Sequence, residues 1–210
     1  MENSTSEVND ILNNQDGVYQ FLMKIIAGRN SEIGSHLYRI QKQAILFSQF
    51  ADLSIKETGI LIIGAGIHDV GKLSISDHIL NKPKKLTASE YTLVQKHVEF
   101  GFKFLEPLRL DARINEIVLY HHENYDGSGY PDGLIGDKIP FLARMTRILD
   151  SFDALTGDRP YHQGFSHSEA FGILQKESHL YDPKLLKCFG RMLDSEKVPT
   201  EHFSIPYAHI

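Results

Sequence analysis

One helix-start pattern recurs along the chain and constrains its fold more than any other sequence feature. At 54–57, 87–90 and 166–169 a serine or threonine stands three positions before a glutamate. This is the capping box, which satisfies unpaired backbone donors at a helix N-terminus. Pro140 and Pro183 can each occupy a first helical turn. Together with helical apolar spacing, these signals predict helices near 17–28, 31–51, 55–70, 88–105, 111–123, 141–156, 167–177 and 183–194. No convincing strand remains, so we predict an all-α fold.

Length and composition predict one helical domain. The chain has 210 residues, of which 41% are hydrophobic, and this is enough to bury one core. We expect an N-terminal extension over 1–16, a domain over 17–195 and a C-terminal tail over 196–210. The leading helix carries apolar residues at helical spacing, which either complete the core or form a dimer contact: Val18, Phe21, Leu22 and Ile25.

The composition also argues against several classes of protein. The net charge of −5 disfavours broad electrostatic binding to DNA or RNA. No apolar run reaches the roughly 18 residues that a membrane span needs, and the polar residues 1–15 resemble neither a signal peptide nor a transit peptide. The single cysteine, Cys188, excludes an internal disulfide and is expected to be a buried thiol in a reducing compartment. We therefore expect a cytoplasmic protein without a membrane span.

Histidines and acids occur on five of the predicted helices, chiefly near their ends. Glu32 and His36 lie four positions apart, so they share one helix face. The other candidates end the third helix, lie within the fourth, close the fifth and come late in the sixth. Five helices can thus direct side chains into one centre, as metal sites in helical folds do. The candidate ligands are Glu32, His36, His68, Asp69, His97, His121, His122, Asp150 and Asp153.

The residue types indicate the chemistry. Nitrogen and oxygen ligands without cysteine suit octahedral iron, manganese or magnesium better than a structural zinc, and the many histidines favour iron or manganese. A carboxylate such as Asp69 can bridge two ions. Two ions about 4 Å apart can share a hydroxide and support in-line attack on a phosphodiester. Each residue alone also fits a plainer interpretation, such as a solvated pair for Glu32 and His36, but their joint occurrence favours phosphate-ester hydrolysis.

A loop follows the paired histidines. Gly127, Gly129 and Pro131 break any helix in succession. A metal-binding helix end is therefore expected to lead into a shaped surface loop.

The ordered motifs resemble those of a known family. They read HDVGK at 68–72, DHILNKPKKLTASE at 77–90, HHENYDGSGYPDGL at 121–134, IPFLAR at 139–144 and DSFDALTGDRPY at 150–161. Over about 30–190 the chain resembles the HD-GYP subfamily of the HD metal-dependent phosphohydrolases, whose members degrade the bacterial messenger cyclic di-GMP. The resemblance implies an HD-domain-like helical bundle with a metal centre in its core.

The resemblance also implies a ligand set. Asp69 matches the bridging carboxylate, while Glu32 and His36 match a pair that accompanies a third metal. We therefore expect three divalent ions rather than two, with iron the first choice and manganese the alternative. The remaining matches to metal ligands are His68, His97, His121, His122 and Asp150.

Other matches imply substrate contacts and catalysis. Lys72 matches a lysine near the scissile phosphate, where it can stabilise developing charge. Tyr130 and Arg159 match residues that contact the dinucleotide, and Asp153 matches an acid near the metals that orients ligands or handles protons. The family usually carries a lysine that meets a substrate phosphate where this chain has His162, so that contact is expected to be weaker here.

The function implied is hydrolysis of cyclic di-GMP to pGpG, GMP or both, by a hydroxide that bridges the metals. Two alternatives remain. One is a phosphohydrolase for another nucleotide, such as a hybrid cyclic dinucleotide. The other is a catalytically weak, metal-containing signalling module that contacts diguanylate cyclase (GGDEF) domains through residues 124–134.

Overall fold

The computed structural model describes residues 16–29, 31–157 and 163–195, and these contain helices but no strand. The all-α prediction is therefore confirmed for this part of the chain. Four short 3₁₀ turns cover Val70–Ser74, Glu106–Leu108, Gly136–Lys138 and Ser178–Leu180. The α-helices are α1 (Asp16–Arg29), α2 (Ser31–Phe50), α3 (Ile55–Ile67), α4 (Asp77–Leu80), α5 (Ala88–Gln95), α6 (His97–Leu105), α7 (Ala112–Tyr120), α8 (Phe141–Thr156), α9 (His167–Lys176) and α10 (Pro183–Leu193).

The helix starts follow the sequence signals closely. All three capping boxes form at the N-termini of α3, α5 and α9. At α3, the Ser54 hydroxyl accepts from the Glu57 amide at 3.3 Å, and the Glu57 carboxylate accepts from the Ser54 amide at 3.0 Å. Pro183 is the first residue of α10, as predicted, whereas Pro140 stands one residue before α8 with extended ψ.

Two predicted helices end earlier than expected and a third is divided, each beside a candidate ligand. The helix predicted over 88–105 is divided at Lys96, so that His97 begins α6. The helix predicted over 55–70 ends at Ile67, and the one predicted over 111–123 ends at Tyr120. The histidines of both latter segments thus lie just past a helix end, where helix carbonyls lack intrahelical partners.

A close backbone contact explains the break after α3. The chain tightens into the 3₁₀ turn containing Gly71, and this turn packs against the start of α6. A Cβ atom at Gly71 would lie 1.8 Å from the carbonyl oxygen of His97, so only glycine permits this approach. The contact brings the segment after α3 beside His97.

The core forms around α3, whose residues Thr58 to Ile67 are all buried. The helices α2, α7 and α8 pack against it. At Gly64 a Cβ atom would lie 2.4 Å from Cδ1 of Ile117, so α3 and α7 approach so closely that a larger residue would force the Ile117 side chain to shift. This packing fixes the relative positions of the segments that carry the candidate ligands.

The leading helix α1 joins the core through one face. Leu22 is buried with the core, whereas Phe21 and Ile25 are exposed, so part of the predicted apolar face completes the core. The side chain of Val18 lies outside the described residues.

Cys188 is a buried free thiol, as predicted. Within the described residues, no helix combines the length and apolar character that a membrane crossing needs. Residues 1–15 and 196–210 lie outside the described part, so the expected extension and tail stay predictions.

Candidate metal centre

The candidate ligands converge on the carboxylate of Asp69. Its Oδ2 lies 3.4 Å from Nε2 of His68, and its Oδ1 lies 3.3 Å from Nε2 of His97 and 4.0 Å from Nε2 of His121. Asp69 follows α3, His97 begins α6 and His121 follows α7. Three segments distant in sequence therefore meet at one carboxylate.

Asp150 of α8 forms a second meeting point. Its Oδ1 lies 3.7 Å from Nε2 of both His36 and His68. The ring of His122 lies 4.2 Å from that of His121, centroid to centroid. Two groups of ligand atoms result, each with its atoms within 4.8 Å of one another and with Asp69 in common: one is Asp69, His97, His121 and His122, and the other is His36, His68 and Asp69.

Backbone carbonyls orient three of the histidines. Nδ1 of His68 donates to the carbonyl of Ala65 at 2.6 Å, and Nδ1 of His97 donates to that of Val94 at 2.7 Å. Nδ1 of His121 donates to the carbonyl of Val118 at 3.0 Å. Because a carbonyl only accepts, Nδ1 carries the proton in each neutral ring, and Nε2 presents a lone pair to the centre. Metal-ligating histidines are held in this way.

The Nε2 lone pairs of His97 and His121 face each other without a proton between them. Nε2 of His97 and Nε2 of His121 are 3.4 Å apart, although both are acceptors in these tautomers. Nε2 of His68 and Oδ1 of Asp69 are buried and have no hydrogen-bond partner within the described part of the chain. Buried acceptors that face one another are unfavourable unless a cation lies between them. The nitrogen and oxygen donors present thus fit a divalent metal.

Most of the imidazoles are neutral and therefore ready to bind metal. Burial lowers the pKa of His97, and burial together with the neighbouring imidazoles lowers that of His121 well below its usual value. Burial, as the main cause, lowers the pKa of His122 to about 3. None of these rings must lose a proton before it can ligate a metal near pH 7.

The carboxylates attract positive charge to the same place. Burial acts to raise the pKa of Asp69, but Lys72, His68 and His97 hold it well below the usual range. Burial also acts to lower the pKa of His68, yet the charges of Asp69 and Asp150 outweigh it and raise that pKa to about 9. A ring held between two carboxylates marks a position where a cation is stabilised.

Asp153, for which the resemblance implies ligand orientation or proton handling, belongs to neither ligand group but contacts one candidate ligand, His36. Its buried Oδ2 accepts from Nδ1 of His36 at 2.6 Å. The guanidinium of Arg39 donates to both oxygens of Asp153, at 2.7 and 2.8 Å. Asp153 thus fixes the tautomer of His36 so that Nε2 faces Asp150. The sequence did not predict a role for Arg39 at the site, although this residue lies three positions after His36 and so on the same helix face.

Lys72 and Tyr130 lie at the edge of the centre. Nζ of Lys72 donates to Oδ2 of Asp69 at 2.5 Å. The ring of Tyr130 stacks on that of His122, with centroids 4.8 Å apart and planes at 25°. The amide of Tyr130 also donates to the carbonyl of His122 at 3.2 Å, so this tyrosine is held against a candidate ligand by ring and backbone.

Glu123 organises the loop that carries Tyr130, a role that the sequence interpretation missed. Its carboxylate is buried and accepts from the amides of Asp132, Gly133 and Leu134 at 2.7, 3.0 and 3.1 Å. An acid directly before a loop that contains several glycines was the available signal, since such loops expose backbone donors. Glu123 therefore fixes the far end of the loop to the end of α7.

Three predicted site residues cannot be placed. Arg159 and His162 lie outside the described residues. The backbone of Glu32 belongs to α2, but its side chain is also outside the described part.

The sequence matches a known family and named relatives. The pattern of the HD domain family matches residues 20–185. "Cyclic di-GMP phosphodiesterase PA4108" of Pseudomonas aeruginosa is 34% identical over 175 residues, which cover 80% of this chain and 41% of that protein. "3'3'-cGAMP-specific phosphodiesterase 2" of Vibrio cholerae is 38% identical over 170 residues, which cover 79% of this chain and 32% of that protein. The chain spans less than half the length of these curated relatives.

The fold has a solved counterpart. Bd1817, an HDG"Y"P protein from Bdellovibrio bacteriovorus, has a TM-score of 0.65 at 18% identity, with 92% of this chain and 70% of that chain covered. At this identity the likeness concerns the fold alone. It confirms the helical-bundle architecture expected from the motifs.

Proposed function

The chain belongs to the HD domain family, and on that premise we propose that it is a metal-dependent phosphodiesterase of the HD-GYP type that hydrolyses cyclic di-GMP. One observation carries the proposal: the buried Nε2 atoms of His97 and His121 face each other at 3.4 Å beside the ionised carboxylate of Asp69, while Nδ1 of each ring donates to a backbone carbonyl. A relative named as a cyclic di-GMP phosphodiesterase supports the substrate. The products are pGpG, GMP or both.

The ligand groups support a centre of two or three ions. His97, His121 and His122 would hold one ion together with Asp69, and His68 and Asp150 would hold a second with the same aspartate. By the resemblance to the HD-GYP subfamily, His36 and Glu32 would hold a third. The nitrogen and oxygen donors favour iron, with manganese as the alternative. When bound, such ions supply Lewis acidity, which acidifies water and withdraws charge from phosphoryl oxygens.

The surrounding residues bind and orient the substrate. Lys72 donates to Asp69 at 2.5 Å, and we expect its ammonium to turn towards a nonbridging phosphate oxygen and stabilise developing charge. We expect Tyr130 to contact the dinucleotide by stacking or hydrogen bonds, and we expect Arg159 and His162, which lie outside the described residues, to contact phosphate. Asp153 acts through His36 as a positioning residue, since its carboxylate is engaged by His36 and Arg39.

A second substrate is favoured by a specific relative. The Vibrio cholerae protein is named as specific for 3'3'-cGAMP, so a hybrid cyclic dinucleotide is the alternative to cyclic di-GMP. Contact with diguanylate cyclase domains through residues 124–134, and a cytoplasmic location, stay predictions.

Turnover by the metal-loaded protein tests the proposal. Protein purified without oxygen is assayed with cyclic di-GMP and 3'3'-cGAMP, and the products are separated by chromatography. We expect cleavage of cyclic di-GMP, a loss of at least about a hundredfold in Asp69→Asn, and no change in Asp194→Asn, an exposed acid at the end of α10. Faster cleavage of 3'3'-cGAMP would favour the alternative substrate, and no cleavage of either would refute the proposal.

A further inference from the structure

Arg147 of α8 is hydrogen-bonded to Asn124, which lies in the segment between His122 and Tyr130. It stands three residues before Asp150 in α8, so the two side chains share a helix face. Nε of Arg147 donates to Oδ1 of Asn124 at 3.0 Å, and Nη1 donates to Oγ of Ser151 at 2.6 Å. Asn124 is the second residue after His122. The guanidinium is therefore held in a defined orientation beside two candidate ligands.

The charge of this guanidinium has no carboxylate partner within the described residues. Asn124 and Ser151 are both neutral, whereas Arg39 pairs with Asp153 and Arg144 pairs with Asp182. The face of Tyr181 lies 5.5 Å from the guanidinium carbon of Arg147 and gives partial compensation. A half-buried cation with neutral partners is costly, so this position favours an anionic ligand.

The field of Arg147 reaches both aromatic rings at the edge of the centre. The guanidinium lies close enough to His122 and Tyr130 for its charge to act on both side chains. An anion that sits near these rings would be attracted by Arg147.

We propose that Arg147 binds a phosphate oxygen of the cyclic dinucleotide, an inference that rests on the proposed function. A guanidinium matches phosphate geometry through paired N–H donors. Its Nη2 group makes no hydrogen bond to the described part of the chain. Because Asn124 and Ser151 already fix the side chain, little conformational entropy is lost when the phosphate binds. The contact exists before the chemical step, so it affects binding more than turnover.

Equilibrium binding tests this contact without relying on turnover. The probe is a non-hydrolysable phosphorothioate analogue of cyclic di-GMP, and its affinity for the metal-loaded protein is measured by calorimetry at low and high salt. We expect Arg147→Gln to weaken binding by about ten- to a hundredfold and to reduce the salt dependence. Arg147→Lys should keep part of the affinity. With the natural substrate, KM should rise while kcat changes little.

Two controls separate phosphate binding from other effects. Arg191→Gln removes the same charge from an exposed position on α10 and should leave affinity unchanged. Asn124→Ala releases the loop but keeps the cation, and it should weaken binding less than Arg147→Gln does. Equal losses of affinity in Asn124→Ala and Arg147→Gln would mean that Arg147 only positions the loop, and this would overturn the proposal.

The remaining outcomes also decide the question. Wild-type affinity in Arg147→Gln, or a loss with unchanged salt dependence, would overturn the phosphate contact while the proposed function stands. A wild-type protein with no affinity for the probe would overturn the proposed function, and this inference with it.

Discussion

Asp153→Asn tests whether this residue acts by fixing the tautomer of His36. The carboxylate accepts from Nδ1 of His36 and from Arg39 at once. An asparagine that keeps its oxygen towards Nε of Arg39 turns its amide N–H₂ towards Nδ1 of His36. The histidine must then accept at Nδ1, which moves its proton to Nε2, the atom that faces Asp150 at 3.7 Å. A protonated Nε2 cannot ligate a metal.

The two expected effects differ in size. Loss of an orienting partner of this kind lowers metal affinity by about 10- to 100-fold, and the loss should concern the ion held by His36. The substitution also removes a charged hydrogen bond to Arg39, which costs about 1 to 3 kcal/mol when buried. The side chain of Arg39 is 41% exposed, so water offsets part of this loss and the cost should lie near the lower limit.

The assay is metal retention during dialysis against a weak chelator, followed by metal analysis per chain and a denaturant titration. Asp182→Asn is the matched control, because Asp182 is also a buried carboxylate and pairs with Arg144 at 2.5 Å outside the ligand groups. We expect Asp153→Asn to lose about one ion per chain relative to the wild type. Asp182→Asn should be destabilised but keep its metal. Equal metal content in Asp153→Asn and the wild type would refute the tautomer argument.

Three further predictions concern packing, the loop and pH. Gly64→Ala places a methyl carbon 2.4 Å from a side-chain carbon of α7 and should destabilise the protein by about 1 to 3 kcal/mol in a denaturant titration. The matched Gly172→Ala, with no atom within 4 Å, should be neutral or stabilising, and similar losses in both would contradict the packing argument. Glu123→Ala leaves three loop amides without their acceptor, so amide hydrogen exchange at 132–134 should speed up by about tenfold or more. Unchanged exchange would contradict the role of Glu123 in fixing the loop. Hydrogen bonds, chiefly from Lys82, lower the pKa of Glu90 from 4.5 to about 2. The contribution of Glu90 to folding stability is therefore present above pH 4.5 and is lost as the pH falls towards 2. A carboxyl NMR titration of Glu90 with a midpoint near 4.5 would contradict this.

Helix starts were predictable from the sequence because their signals are local. A serine or threonine and a glutamate three residues later form the whole capping box, so α3, α5 and α9 begin where the pattern indicates. Helix ends were less predictable because distant contacts determine them. The break before His97 coincides with the bond from its ring to the carbonyl of Val94 and with the approach of Gly71. Apolar periodicity continues across this break and gives no sign of it.

The candidate ligands were predictable from residue type, but their supporting residues were not. His68 and Asp69 form a recognisable pair, and the structure brings them beside His97 and His121. Arg39 acts through a partner 114 residues away, so no local pattern reveals it. The same holds for Arg147, whose partners among the described residues are neutral, a fact that becomes visible only once the helices are packed.

If the cluster around Asp69 is a multinuclear metal centre, the chain purified without oxygen should contain several metal ions, which metal analysis measures. We expect two or three divalent ions per chain, iron or manganese, and the loss of bound metal in a variant with both His68→Ala and Asp69→Ala. Less than one ion per chain in a folded protein, or equal metal content in that variant, would contradict it.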